Sequence, residues 1–308
     1  EAAAVVNALG IQSVRLLTNN PVKVQGLRGG GVDVVAVQPL ATTPHSRNLR
    51  YLQTKQRRLG HIKPTGTPVA DSPVVPDVAV DVSALVGDVH VPPHRPYVVL
   101  KFAQTLDGRI ATSTGDARWI SGQAERRISH GLRAACDAVL VGVGTVIQDD
   151  PQLTVRMVEG ASPRRVVLDS TLRLPANAKI LEPEAPTLVV TTARSSTARR
   201  RELHSRGVYV EIAEPGPHGV DLDAALGALR RAGTETLLVE GGAQVITSML
   251  AEGVVDRLIV GVAPTIIGQG TEAVGPLGIT TVAGGIHLVD RAVHVLDDDV
   301  LLAWNIER

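Results

Sequence analysis

Short apolar runs alternate with segments whose apolar positions recur at helical spacing along residues 96–308. The runs YVVLKFA, DAVLVGVG, RRVVLD, TLVVTT, VYVEI, TLLVE and RLIVGVA predict strands. They are aliphatic, β-branched and bounded by turn formers. QAERRISHGLRAAC, SSTARRRELHSR, DLDAALGALRRAG and AQVITSMLAEG predict amphipathic helices. Strand followed by helix, repeated, predicts an α/β fold with a mostly parallel sheet covered by helices on both faces. The end, IHLVDRAVHVLDDDVLLAWNIE, has two alternating runs around an Asp-rich turn. That pattern predicts an antiparallel hairpin closing the sheet edge.

Residues 1–61 form a second, smaller zone. EAAAVVNALG predicts a helix stopping at Gly10, SVRLL and VDVVAVQPL predict strands, and NLRYLQTKQRRLGH predicts a polar basic helix ending near Gly60. So few elements make a small, incomplete domain with little core. Prolines 64, 68, 73, 76, 92 and 93 crowd residues 62–95, which predicts a linker. Within it, VAVDVSALVGDVHV could add an edge strand or lie against a neighbour. The chain opens on Glu1 inside a helical run, without Met or an N-cap, so a piece of a longer reading frame is expected.

Charge narrows the function classes. The 31 basic and 31 acidic side chains cancel, which argues against a nucleic-acid coat. No stretch reads as a membrane-spanning helix and no signal peptide opens the chain, so a cytoplasmic protein is expected. Cys136 is the single cysteine, which excludes an intrachain disulfide and a multi-cysteine zinc site. Aromatics are only 2% of residues, so the core must be aliphatic.

Ligands of open α/β sheets bind beyond the carboxyl ends of the strands. After TLLVE come Glu240, Gly241, Gly242 and a helix. Glycines there let backbone N–H groups approach a phosphate at a helix N-terminus, and a plain tight turn has the same signature. A carboxylate at Glu240 suits a polar heterocycle better than a phosphate. After DAVLVGVG, Thr145 is placed to cap a short helix, Asp149-Asp150-Pro151 turns the chain, and Arg156 follows. Turn chemistry alone accounts for the Asp pair. After YVVLKFA, Trp119 could stack on a nicotinamide or a pyrimidine, or fill core. Lys101, Arg133 and Arg156 could supply cations for a substrate phosphate, and Arg133 late in its helix reads equally as a solvated charge. There is no GxSxG elbow and no HxE followed by PCxxC. His90 and His94 lie in a Pro-interrupted stretch unsuited to a metal pair, so no metal is expected.

Six motifs in order, LKFAQTLDGRIAT, GDARWIS, HGLRAACDAVLVGVGTVIQDDPQLTVR, VVLDS, LLVEGGAQVITSML and DRLIVGVAPTIIG, resemble the RibD C-terminal family, the reductase domain of bacterial riboflavin biosynthesis. The resemblance spans residues 96–308. It implies a dihydrofolate-reductase-like α/β fold and NADPH as cofactor. The implied reaction reduces the ribosyl side chain of a small-molecule substrate to the ribityl form. That substrate is 5-amino-6-(5-phosphoribosylamino)uracil or its 2,5-diamino precursor. The ribosylamino group opens to an imine, which takes hydride at C1′.

By motif, Ala103, Trp119, Thr145, Asp149, Ser170, Gly242, Ala243, Gln244, Val245, Ile246, Thr247 and Ser248 are the implied NADPH contacts. Arg133, Leu153, Arg156 and Glu240 are the implied substrate contacts, with Lys101 near the substrate phosphate. Glu240 would orient the pyrimidine, while Arg133 and Arg156 would hold the 5′-phosphate. The family often has Ser where this chain has Ala117, so one hydrogen bond is missing. From position alone, Arg194 with Thr192 and Ser195 is a candidate for the cofactor's 2′-phosphate, although an exposed arginine at a helix start is the reading the sequence favours. Related reductases dimerise, so a homodimer is expected. A nucleotide-binding scaffold without turnover, or a reductase of a related pyrimidine or pteridine-like substrate, are the competing readings.

The first zone is similar to the C-terminal end of GTP cyclohydrolase II, through RLLTNNPVK and RYLQTKQRRLGH. Thr18 and Lys23 occupy positions that touch GTP in that family. Its zinc needs three cysteines and residues 1–61 hold none, so no purine-opening activity is expected from this zone.

Overall fold

The computed structural model describes residues 2–8, 10–18, 20–38, 80–117 and 120–307. The chain divides into two compact units, Glu1–Pro76 and Asp77–Arg308. The first contains α1 (Ala2–Ala8), β1 (Ser13–Leu17), α2 (Pro21–Gly29) and β2 (Asp33–Gln38), with β1 and β2 paired in parallel. Leu27, Val32 and Val34 make its small core. Helix α2 is additional to the sequence expectation. It starts because the Asn20 side chain accepts the Val22 N–H at 2.9 Å and Pro21 sits in the first turn. The basic helix expected at NLRYLQTKQRRLGH lies outside the described residues.

The second unit opens with α3 (Val82–Val86), β3 (Tyr97–Thr105), β4 (Arg109–Thr112), α4 (Gln123–Ala135), β5 (Ala138–Gly142) and α5 (Val143–Asp149). It continues with β6 (Arg164–Leu168), β7 (Thr187–Thr192), α6 (Thr197–Ser205), β8 (Tyr209–Ala213), β9 (Pro215–Gly216), β10 (Gly219–Val220) and α7 (Leu222–Arg231). It closes with β11 (Thr236–Val239), α8 (Ala243–Ala251), β12 (Arg257–Ala263), β13 (Gly270–Glu272), β14 (Leu288–Leu296) and β15 (Asp299–Ile306).

Nine of these strands form one sheet in the order β14-β15-β12-β3-β11-β5-β6-β7-β8. From β12 to β8 every pairing is parallel, and β15 and β14 add the antiparallel hairpin at the edge. On one face, α3, α4 and α6 bury Leu85, Leu132 and Leu203 against Val99, Val139, Val167 and Val189. On the other, α7 and α8 bury Leu226, Leu229, Ile246 and Met249 against Val98, Leu100, Leu140 and Val166. Each such side chain contributes about 1.5–3 kcal/mol of burial. Burial on both faces explains why the strands read as unbroken aliphatic runs.

The stretch expected to be linker up to residue 95 is in part core. Asp81 caps α3 by accepting the Ser83 N–H at 2.9 Å. Leu85 is fully buried, and its carbonyl accepts Arg257 Nε at 2.9 Å. The Val86 carbonyl accepts the Tyr97 hydroxyl at 3.1 Å. These contacts satisfy carbonyls that the end of a helix would otherwise leave open. Val82 packs on Gly131 of α4, where a Cβ would lie 2.7 Å from Val82 Cγ2.

Candidate active site

Strand β11 forms late in the chain yet inserts between β3 and β5, so connections run in opposite directions on its two sides. Such a switch point opens a crevice beyond the strand ends. Here it is a cleft of about 490 Å³ walled by the ends of β3, β5, β6 and β11 and the start of α8. Beyond β11, Gly241 and Gly242 take φ values of 101° and 81°, a region open to glycine and strained for other residues. A Cβ on Gly242 would lie 2.8 Å from Thr145 Oγ1, and one on Gly142 would lie 2.8 Å from Val245 Cγ2. Among the described residues no side chain caps α8, which leaves its first N–H groups to a ligand in the cleft. A backbone cradle this close, at a helix N-terminus, fits the diphosphate of a dinucleotide.

Arg133 of α4 and Glu240 face each other in a two-point ion pair. Arg133 Nε and Nη2 donate to Glu240 Oε1 and Oε2, both at 2.6 Å, and each side chain is 12% exposed. Arg133 Nη1 donates to the Thr154 carbonyl at 3.2 Å. Burial pushes the Glu240 carboxyl up, but the charge and hydrogen bonds of Arg133 outweigh it, and the net shift is downward. Burial likewise opposes the Arg133 charge, and Glu240 reverses that shift upward. Glu240 is therefore a fixed carboxylate acceptor at the cleft wall.

His130, on the same helix, is buried and accepts the Arg156 backbone N–H on Nδ1 at 3.0 Å. Burial first, then the charges of Arg133 and Arg156, push its pKa down from 6.5 to about 4. Lys101 of β3 lines the cleft, pairs with the buried Glu125, and donates from Nζ to Ser129 Oγ at 2.7 Å.

Most residues singled out in the sequence converge on this cleft. Ala103, Thr145, Asp149, Ser170, Gly242, Ala243, Gln244, Val245, Ile246 and Ser248 line it, with Lys101, Ala117 and Glu240. Thr145 does not cap α5. Gly142 is the N-cap, and Thr145 Oγ1 instead donates to the Gly241 carbonyl at 3.4 Å. Thr247 is committed elsewhere, donating to the Ala243 carbonyl at 2.7 Å and accepting the Gly275 N–H at 2.8 Å. Leu153 adopts φ 55° and buries its side chain in the core, so only its backbone is left to meet a ligand. Trp119 lies outside the described residues.

Arg133, expected to hold the phosphate, gives its guanidinium to Glu240 and to the Thr154 carbonyl in this structure. Arg156 is exposed and donates to Gln152 Oε1 at 2.9 Å and Thr154 Oγ1 at 2.6 Å. Arg194 is not among the residues lining the cleft. The hydroxyls of Thr192 and Ser195 donate to the carbonyls of Ser170 and Thr192, each at 2.8 Å, and so fix the end of β7. Sequence reasoning missed Arg173, Gln148, His218 and Glu252, which also line the cleft. Arg173 had one signal, its place three residues after Ser170 on the loop leaving β6. In the first unit, Thr18 is buried with its hydroxyl accepting the Asn20 N–H at 3.0 Å, and Lys23 is exposed on α2. Among the described residues, no His, Cys, Asp and Glu group could hold a metal, and no helix is long and apolar enough to cross a membrane.

Known proteins resemble this chain. A family described as the RibD C-terminal domain matches residues 96–302, and GTP cyclohydrolase II matches residues 1–39. Riboflavin biosynthesis protein RibD of Aquifex aeolicus is 41% identical over 215 residues, covering 69% of this chain and 58% of that protein. The 2,5-diamino-6-ribosylamino-4(3H)-pyrimidinone 5′-phosphate reductase of Methanothermobacter thermautotrophicus is 40% identical over 219 residues, covering 69% of this chain and 99% of that protein. Among solved structures, Acinetobacter baumannii RibD superposes with a TM-score of 0.62 at 28% identity, over 99% of this chain and 76% of that one. The cleft at the β11 switch point, the order of the motifs and these matches together show that the chain belongs to the RibD C-terminal domain family.

Proposed function

We propose that this chain uses NADPH to reduce the ribosyl side chain of a phosphoribosylamino-pyrimidine to the ribityl form, a step of riboflavin biosynthesis. The observation that carries the reading is the glycine cradle at Gly241-Gly242 directly after the fixed carboxylate of Glu240. It sets a phosphate-binding backbone and a heterocycle acceptor side by side. The Methanothermobacter relative, aligned over almost its whole length, carries the name of such a reductase.

When bound, NADPH would supply a hydride for C1′ of the ring-opened imine, and a proton at the imine nitrogen would complete the reduction. The chain's part is to hold both partners and exclude water. Gly142, Gly242 and the start of α8 take the cofactor's diphosphate. Arg173, an exposed arginine on the cleft wall beside Ser170, takes the 2′-phosphate in place of Arg194. Glu240 accepts hydrogen bonds from the pyrimidine, and Arg133 keeps that carboxylate ionised and aimed. The 5′-phosphate falls to Lys101, which lines the cleft, and to Arg156, which does not line it but whose charge lies near that of Arg133.

A cytoplasmic homodimer completes the proposal, two-fold pairing being the commonest closed assembly. The experiment is an NADPH-consumption assay with the uracil and with its 2,5-diamino precursor. Turnover with either supports the reading, and none with both defeats it.

A further inference from the structure

Behind Lys101, which the proposed function gives to the 5′-phosphate, lies a side-chain network whose other members that chemistry does not use. Lys101 sits on β3 with only 6% exposure, yet it lines the cleft. Both of its side-chain partners come from the first turns of α4. One is the Glu125 carboxylate, and the other is the Ser129 hydroxyl, at 2.7 Å. Ser129 in turn donates to the Glu125 carbonyl at 3.3 Å. Glu125 is 1% exposed, and its second oxygen accepts the Ser121 hydroxyl at 2.7 Å. Across the sheet, Gly261 of β12 leaves room for that carboxylate, since a Cβ there would lie 3.1 Å from Glu125 Oε1. A buried ion pair is a costly way to hold a fold together. Placed behind a cleft cation, it fixes where a charge points.

We infer that Glu125 is a positioning residue, which with Ser129 fixes where the Lys101 ammonium sits in the cleft wall that also carries Glu240. The inference rests on the reductase reading. Lys101 meets the substrate, while Glu125 acts only through Lys101. Ser121, Ser129 and Gly261 hold Glu125 in turn.

The test compares wild type, Glu125→Gln, Lys101→Met and the double variant in steady-state NADPH oxidation with the pyrimidine substrate. Glu125→Gln keeps the shape and removes the counter-charge. It is expected to lower kcat at least ~10-fold, because binding energy at the substrate's phosphate helps orient the reacting sugar. The KM for NADPH stays within about twofold, because the cofactor cradle lies elsewhere. In the Lys101→Met background the same change lowers kcat no further, an outcome that a merely structural role would not give. Wild-type kcat in Glu125→Gln overturns the inference, as does an additive loss in the double variant. If Glu125→Gln does not fold, Ser129→Ala removes the other tether of Lys101 and is read in the same way. A wild type inactive with both pyrimidines brings down the reductase reading and this inference with it. An active wild type matched by Glu125→Gln brings down the inference alone.

Discussion

Arg133 and Glu240 stand 107 residues apart in the chain and meet through two parallel hydrogen bonds of 2.6 Å. The sequence offers both as substrate ligands, one for a phosphate and one for a base. The structure makes them partners first. A paired guanidinium has less to give a phosphate, and a paired carboxylate is held in one orientation for a heterocycle.

Removing one partner strands the other. Glu240→Gln leaves the Arg133 charge buried without its counter-ion, a loss of about 3–5 kcal/mol for such pairs. Urea unfolding should show a loss of that order, and turnover should fall with it. Because the folded Glu240 carboxyl lies below its ordinary 4.5, its contribution is intact above that pH and is lost as pH falls through the folded value. A Glu240→Gln chain as stable as wild type would show that the pair is not formed in solution.

How much of this was legible follows from where each signal resides. Strands such as β3 and β12 were plain because burial on both faces demands continuous aliphatic runs. The glycine turn was legible because a missing Cβ is visible in sequence. Helix α3 was hidden because five residues among prolines show no period. The Arg133–Glu240 and Lys101–Glu125 pairs were not legible, because they exist only once β11 and α4 are placed around β3. Arg173 reads in sequence as an ordinary solvated charge.

Gly242→Ala should separate binding from folding. The added Cβ would sit at φ 81° and 2.8 Å from Thr145 Oγ1. The strain costs about 1–3 kcal/mol, and the cradle moves away from a ligand. NADPH titration followed by cofactor fluorescence should show affinity falling about tenfold, the equivalent of ~1.4 kcal/mol. Unchanged affinity would place the cofactor elsewhere.

His130 gives the fold an acid sensitivity. Its folded pKa, about 4, lies below the ordinary 6.5, so the unfolded chain binds the proton more readily between those values. Its contribution is whole above 6.5 and is lost as pH falls toward 4. His130→Asn keeps an acceptor for the Arg156 N–H and removes the titration. Unfolding measured across that window should therefore slope less in the variant, by on the order of 1–2 kcal/mol in total. Parallel slopes would mean that His130 does not titrate there.

Arg173 and Arg194 make opposite predictions for cofactor choice. Arg173 lines the cleft, and Arg194 is not among its lining residues. Arg173→Ala should lower kcat/KM for NADPH about tenfold or more, a loss of ~1.4 kcal/mol, while sparing NADH. Arg194→Ala should leave the ratio of the two cofactors as it is. The reverse pattern would return the 2′-phosphate to Arg194.

Turnover at the cleft beside Gly241 and Gly242 is reached directly by one assay. Purified chain is mixed with NADPH and each phosphoribosylamino-pyrimidine, and cofactor loss is followed together with the sugar product. One ribityl product is expected for each NADPH consumed, with at least one of the two pyrimidines. Tight NADPH binding with neither pyrimidine reduced would contradict the reductase reading and leave a nucleotide-binding scaffold in its place.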